Sequence, residues 1–274
     1  MSSLKRTIGL FAGDGELPVE IARRLSGEGN PAVAFSFRED TKPLRKWTSE
    51  VIKVDRPAIG KIVKDLEARG IRDLILAGLV PKKLIYRADL MDDDLRNMIS
   101  ILGSRDDHAI LDAVVSFFGS RGIRVLPYRE IVPDMLAREG AIAGRPLRPE
   151  EEDDIRYGLR IAASLVPMSF GQTVVVKSRS VVSVEAMEGT DAAIERAGAI
   201  SRGGVVVKMM RPDQDERFDI PVIGPGTLET MHEAGIVCLA VEAGRTIVLG
   251  GELFRERAEE WEIAVTGVIP APSL

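Results

Sequence analysis

The sequence predicts an α/β protein of two domains: an N-terminal Rossmann-like, mostly parallel sheet, then a mixed α/β domain richer in strand. Three observations carry this. Short apolar runs alternate with helix-periodic segments from Thr7 to Pro127, the pattern of a parallel sheet with crossover helices. Glycines, a proline and an acidic helix start mark a junction over Arg138–Glu151. At 274 residues the chain is long enough for two separate cores. The expected domains are 1–138 and 139–274.

In the first half, Thr7–Ala12 is an apolar strand ending at Gly13-Asp14-Gly15. Leu17–Leu25 has helical periodicity, and Pro18 falls in its first turn, where a missing N–H is tolerated. Strands are expected at Ala32–Phe37 and Glu50–Val54. A helix over Ile59–Arg69 puts Ile59, Ile62, Val63 and Leu66 on one face. Asp73–Gly78 and Ile123–Pro127 read as strands and Asp107–Arg121 as a helix, with Asp106 or Asp107 as its cap. Open α/β sheets bind ligands at the carboxyl ends of their strands. Here those ends carry Gly13-Asp14-Gly15 and Gly78 through Lys83.

The second half opens with a helix from Pro149 to about Leu165, its first turn loaded with acid. Strands are expected at Thr173–Val176, Ser180–Met187, Gly204–Met209, Ile236–Val241 and Arg245–Leu249, all rich in valine and isoleucine. Short helices fall near Asp191–Ala197, Thr227–Ala234 and Leu253–Glu260. No internal repeat or low-complexity tract interrupts the pattern.

Composition narrows the function. A net charge of -5 gives no general attraction to nucleic acid. The single cysteine, Cys238, forms no intrachain disulfide, sits in an apolar run as a core residue, and suits a reducing cytoplasm. The N-terminus has no signal-type apolar stretch, and no run approaches the roughly 18 apolar residues of a membrane span. Two histidines, His108 and His232, are too few for a histidine-rich metal site.

The densest chemistry lies in Lys208 through Gly224. It gathers Asp213, Asp215, Glu216 and Asp219 with Lys208, Arg211 and Arg217, and Pro212 and Pro221 restrict its backbone. Carboxylates so spaced can hold a divalent cation or activate water, and the cations suit a phosphate. A solvated loop is the plain alternative. Gly13-Asp14-Gly15 is part of a dinucleotide fingerprint whose third glycine is replaced by Pro18, so it serves equally as a phosphate approach or as a tight turn. Glu185 lies in an otherwise apolar run, which is costly unless a cation or an Arg/Lys partner neutralises it.

Phe170-Gly171-Gln172, Glu185 through Asp191 and Lys208 through Gly224 recur in this order in one family. With Ala12–Pro18 and Gly103–Asp107, the chain resembles the LpxI-type UDP-2,3-diacylglucosamine pyrophosphatases over nearly its whole length. The resemblance implies hydrolysis of UDP-2,3-diacylglucosamine to 2,3-diacylglucosamine 1-phosphate (lipid X) and UMP in lipid A synthesis. It also implies a divalent metal, Mg2+ or another such as Mn2+. The N-terminal domain would bind nucleotide and substrate and the C-terminal domain would be catalytic, closing across the diphosphate.

On that reading Asp219, Asp215, Lys208 and Arg217 are the catalytic candidates, and Asp191, Asp215 and Asp219 the metal ligands. Gly13, Gly15, Leu17, Pro18, Gly78, Asp107, Gln172, Thr190 and Gln214 would bind substrate. Glu185 and Glu188 are weaker candidates, and Leu84-Ile85-Tyr86 and Phe117-Phe118 would wall an acyl groove unless they pack in a core. The lipid substrate implies visits to the cytoplasmic face of the inner membrane; a homodimer is left open. Two departures stand out: Ser169, where the family often has aspartate, and Asp14, where glycine is common. The rival readings are a noncatalytic nucleotide-sugar sensor and a nicotinamide-dependent oxidoreductase.

Overall fold

The computed structural model describes residues 6–80, 91–102, 107–168, 171–211 and 214–270. It divides into two compact units. The first holds the chain to Pro133 together with Glu216–Asp219; the second holds Asp134–Asp215 and the chain from Ile220 onward.

The first unit is an α/β layer structure. Its elements are β1 (Ile8–Ala12), α1 (Leu17–Gly27), β2 (Val33–Ser36), α2 (Lys42–Arg45), β3 (Glu50–Lys53), α3 (Ile59–Ala68), β4 (Asp73–Ala77), α4 (Asp93–Ser100), α5 (Asp107–Ser120), β5 (Arg124–Val125) and α6 (Tyr128–Ile131). The five strands run in the order β3-β2-β1-β4-β5, and every pairing is parallel. Parallel pairing needs crossovers, which the intervening helices supply. The predicted α3 face (Ile59, Ile62, Val63, Leu66) is buried, in a core shared with α4, α5 and the sheet. Phe118 is fully buried in that core and Phe117 packs against it, so neither forms a groove wall. Leu84-Ile85-Tyr86, Lys83 and Asp106 lie outside the described residues.

The second unit contains β6 (Gly140–Ala143), α7 (Pro149–Leu165), β7 (Thr173–Lys177), β8 (Ser180–Val184), α8 (Thr190–Ile200), β9 (Val205–Lys208), β10 (Val222–Ile223), α9 (Pro225–Ala234), β11 (Cys238–Glu242), β12 (Ile247–Val248), α10 (Gly251–Glu260) and β13 (Ala264–Val268). Its main sheet is mixed, in the order β6-β13-β11-β9-β7-β8. The three central strands pair in parallel, and the flanking pairings (β6 with β13, β7 with β9, β8 with β7) are antiparallel. Alternate residues face opposite helix layers. Val174, Val176, Val205, Val207, Cys238 and Ala240 pack on the α7 side. Val175, Val206, Leu239 and Val241 pack with α8, α9 and α10. A sheet covered on both faces explains why these strands read as unbroken valine runs.

Three sequence expectations change here. The glycine-marked junction contains a strand, β6, paired antiparallel to β13, which the sequence reading also lacked. Arg245–Leu249 contributes only β12, which pairs with β10 outside the main sheet. The strand expected to reach Met187 stops at Val184, and Met187 is fully exposed.

Candidate functional site

In the first unit, the loop after β1 is locked to the loop after β4. Asp14 and Leu79 exchange backbone hydrogen bonds of 2.8 and 2.9 Å, and the Gly13 N–H donates to the Ala77 carbonyl at 2.8 Å. The approach leaves no room for side chains. A Cβ on Gly13 would lie 2.5 Å from the Leu79 carbonyl oxygen. One on Gly78, at φ 82°, would lie 2.5 Å from the Asp14 carbonyl oxygen and 2.7 Å from Pro18 Cγ. Glycine is required at both positions by sterics.

Gly15 (φ 99°) faces open space, and Leu17 and Pro18 are buried at the start of α1. The structure thus brings Gly13, Gly15, Pro18 and Gly78 together at the carboxyl ends of β1 and β4, where the strand order reverses. Arg38, just beyond β2, was absent from the sequence reading. Its guanidinium donates to the carbonyls of Gly13 (3.3 Å) and Gly15 and clamps the loop. A surface cavity of about 240 Å³, lined by Phe35, Ile52, Lys53, Arg56 and Lys61 among others, lies instead beside β3 and the start of α3.

In the second unit, four strand and helix ends meet. Lys208 closes β9, Thr173 lies opposite it on β7, Glu185 follows β8 and Thr190 opens α8. Lys208 is 5 % exposed, and its Nζ donates to Thr190 Oγ1 at 2.9 Å. Thr190 Oγ1 donates to Glu185 Oε1 at 3.1 Å, and the Gln172 N–H reaches Glu185 Oε2 at 3.4 Å. Burial pulls the Lys208 ammonium pKa down, opposed by the charges of Glu185 and Asp191. The Gln172 amide oxygen is buried without a hydrogen-bond partner among the described residues. Lys208, Thr190 and Gln172 therefore form one cluster, and Glu185 is its hub. The signal for that hub was legible: a carboxylate inside an apolar run.

The acidic segment behaves differently. Lys208 through Asp215 belongs to the second unit, whereas Glu216–Asp219 belongs to the first. Gln214 is buried and its Oε1 accepts from the Arg211 N–H at 2.7 Å. Within the first unit, the Glu216 carbonyl accepts from the Tyr128 N–H at 3.2 Å, and Glu216 pairs with Arg129. Arg217 lies 4.0 Å from Asp112, and Phe218 packs on the core. Burial raises the Tyr128 hydroxyl pKa, and the Asp219 charge raises it further. Asp107 opens α5 with its side chain undescribed, and Asp213 and Ser169 lie outside the described residues.

Among the described residues no three His, Cys, Asp or Glu side chains assemble as a metal cluster. Asp191 and Asp215 fall in one unit and Asp219 in the other.

The chain matches the LpxI N-terminal domain over residues 7–135 and the LpxI C-terminal domain over residues 138–266. It is 30 % identical over 277 residues to the UDP-2,3-diacylglucosamine pyrophosphatase LpxI of Caulobacter vibrioides, covering 97 % of this chain and 98 % of that one. The chain belongs to the LpxI family. The LpxI C-terminal match spans the whole Lys208–Thr190–Glu185–Gln172 cluster, and the LpxI N-terminal match spans the clamped glycine loop. Among the described residues no helix is long and apolar enough to cross a membrane.

Proposed function

We propose that this LpxI-family chain hydrolyses the pyrophosphate of UDP-2,3-diacylglucosamine, giving 2,3-diacylglucosamine 1-phosphate and UMP for lipid A synthesis. The observation that carries the reading is the end-to-end match of both domains to a relative named for that activity. In the reaction, water adds across one P–O bond of the diphosphate and both products leave as phosphate monoesters. Protein side chains have little covalent work in such a step; orientation and charge neutralisation dominate.

The second unit's cluster suits that task. A buried lysine beside water-excluded acceptors exerts a stronger field on nonbridging oxygens than an exposed one would. Lys208 neutralises charge on the diphosphate, and Arg217 adds to it. Gln172, whose buried amide oxygen lacks a partner among the described residues, orients a donor on the substrate or the attacking water. Asp219 and Asp215 remain the carboxylates assigned to water activation. The first unit is assigned the nucleotide in Rossmann-like fashion. Its order β3-β2-β1-β4-β5 reverses between β1 and β4, where Gly13 and Gly78 let the two loops close on each other and Gly15 faces open space. The acyl chains bring the protein to the cytoplasmic face of the inner membrane.

Purified protein incubated with UDP-2,3-diacylglucosamine and Mg2+ should release UMP. Tight binding without release would identify a sensor instead. An arm dialysed against EDTA decides the metal: full activity there removes the divalent ion from the reaction.

A further inference from the structure

We propose that Glu185 is a positioning residue for Lys208 and acts through the hydroxyl of Thr190. The inference rests on the reading that Lys208 meets the diphosphate. Among the described residues Glu185 makes no ion pair with Lys208; the two are joined by hydrogen bonds of 3.1 and 2.9 Å that share the Thr190 oxygen.

The direction of both bonds follows from donor counting. An ammonium only donates and a carboxylate only accepts. The hydroxyl therefore gives its one proton to Glu185 and receives from Lys208, which leaves the ammonium two N–H groups for a ligand. Thr190 is itself fixed as the first residue of α8, after Gly189 at φ 88°. Thr173 Oγ1 stands 3.4 Å from its hydroxyl. Glu185 is held from behind by its own N–H, which donates to the Thr173 carbonyl at 2.9 Å, and by the Gln172 N–H. The far end of the relay, the Glu185 carboxylate, is thus tied to backbone, and the lysine, otherwise a flexible four-carbon stem, is given one position. Burial works against the lysine's charge, and the carboxylates of Glu185 and Asp191 work for it. Thr190 is on this view committed to the relay and makes no bond to substrate through its proton.

The test is a mutant cycle read by UMP release from UDP-2,3-diacylglucosamine. Thr190→Val removes the hydroxyl while keeping the shape. It should lower kcat about 30-fold with KM within about 3-fold, and Thr190→Ser should recover kcat to within about 5-fold of wild type. Added to Lys208→Met, Thr190→Val should change kcat less than about 3-fold, because residues acting as a unit are not additive. Glu185→Gln should follow the same pattern and serves if Thr190→Val does not fold. Retention of kcat within about 3-fold in either single variant, or an undiminished loss on the Lys208→Met background, overturns the proposal.

If wild-type protein releases no UMP, the functional reading fails separately. The cycle read by melting temperature then decides the geometry. The two single losses should exceed the double loss by more than about 3 °C, and strict additivity overturns the relay.

Discussion

Gly171→Ala should disable the second unit's cluster without touching any of its polar side chains. A Cβ at this position would lie 2.0 Å from the Glu185 carbonyl oxygen and 2.8 Å from its carbonyl carbon. Both atoms are backbone, so no side-chain rotation relieves the overlap. The neighbouring chain cannot drift freely either, because the Gln172 carbonyl accepts from the Met209 N–H at 2.9 Å and the Glu185 N–H donates to Thr173. One strand end must move by roughly 1 Å in a close-packed interior. Overpacking of this kind costs about 1–3 kcal/mol. Weakening the bonds to the Glu185 carboxylate adds about 1.5–3 kcal/mol. The sum, about 2.5–6 kcal/mol, corresponds to a melting-temperature drop of roughly 5–24 °C at about 2–4 °C per kcal/mol. A misplacement of about 1 Å at a catalytic cluster also costs on the order of 100-fold in turnover.

The chain has two tryptophans, Trp47 in the first unit and Trp261 in the second. In a Trp47→Phe background, Trp261 fluorescence reports the second unit's unfolding alone. Gly226→Ala in α9 is the control: nothing lies within 4 Å of its Cβ, and it should stay within about 1 kcal/mol of the parent. A Gly171→Ala protein melting within about 2 °C of its parent, with turnover within about 3-fold, would refute the reasoning.

Asp154→Ala should cost about 2–4 kcal/mol in urea denaturation. Its buried carboxylate accepts from the N–H groups of Ser178 (2.9 Å) and Arg179 (2.5 Å), at φ 50° and 56° in the β7–β8 turn. Arg38→Ala should raise KM for the nucleotide substrate about 10-fold with kcat and melting temperature little changed, since it frees the Gly13–Gly15 loop; an unchanged KM removes the clamp from binding. The folded-state pKa of Lys208 lies below its unfolded value of 10.5. Between those two values the unfolded chain holds the proton and the native chain does not, so wild-type stability should rise with pH there relative to Lys208→Met. Denaturation of both proteins from pH 7 to 10.5 checks the sign; a falling difference contradicts it. Asp219→Asn should lower turnover about 100-fold without loss of substrate binding, and a large melting-temperature drop would make it a structural aspartate.

Most of the α/β pattern was legible because period and punctuation agreed. Leu17 through Leu25, Ile59 through Arg69 and Pro149 through Leu165 each combine helical spacing with a start or stop signal, and each forms a helix close to those bounds. The strands β6 and β13 escaped for a physical reason. Gly140-Ala141-Ile142-Ala143 is mostly small residues with little strand propensity, and pairing with β13 makes it a strand. β13 itself is buried along nearly its whole length, which erases the two-residue alternation that marks a half-exposed strand. Tertiary pairing decided both, and no local signal stands in for it.

The two candidate regions differ in legibility for a related reason. The glycine loop could be read because its signature is local, a strand, a turn and a helix start within Ile8–Leu17, even though its packing partners, Leu79 and Arg38, are distant in sequence. The Lys208 cluster draws on four separate segments between Gln172 and Lys208, and only the antiparallel register Thr173↔Lys208 brings them to one end of the sheet. Sequence showed a costly glutamate at 185 and a strand-ending lysine at 208; it did not show that Thr190 lies between them. The acidic segment presents the opposite case. Its charge density suggested a single loop of carboxylates, but Tyr128, Arg129 and Asp112 hold Glu216 and Arg217 in the first unit, while Gln214 caps the Arg211 N–H in the second. Charge counting measures how many ionisable groups a segment has. Which groups share a site depends on the anchors that each half of the segment finds: the first-unit anchors lie about 87 to 105 residues away in sequence, whereas the second-unit contact is local.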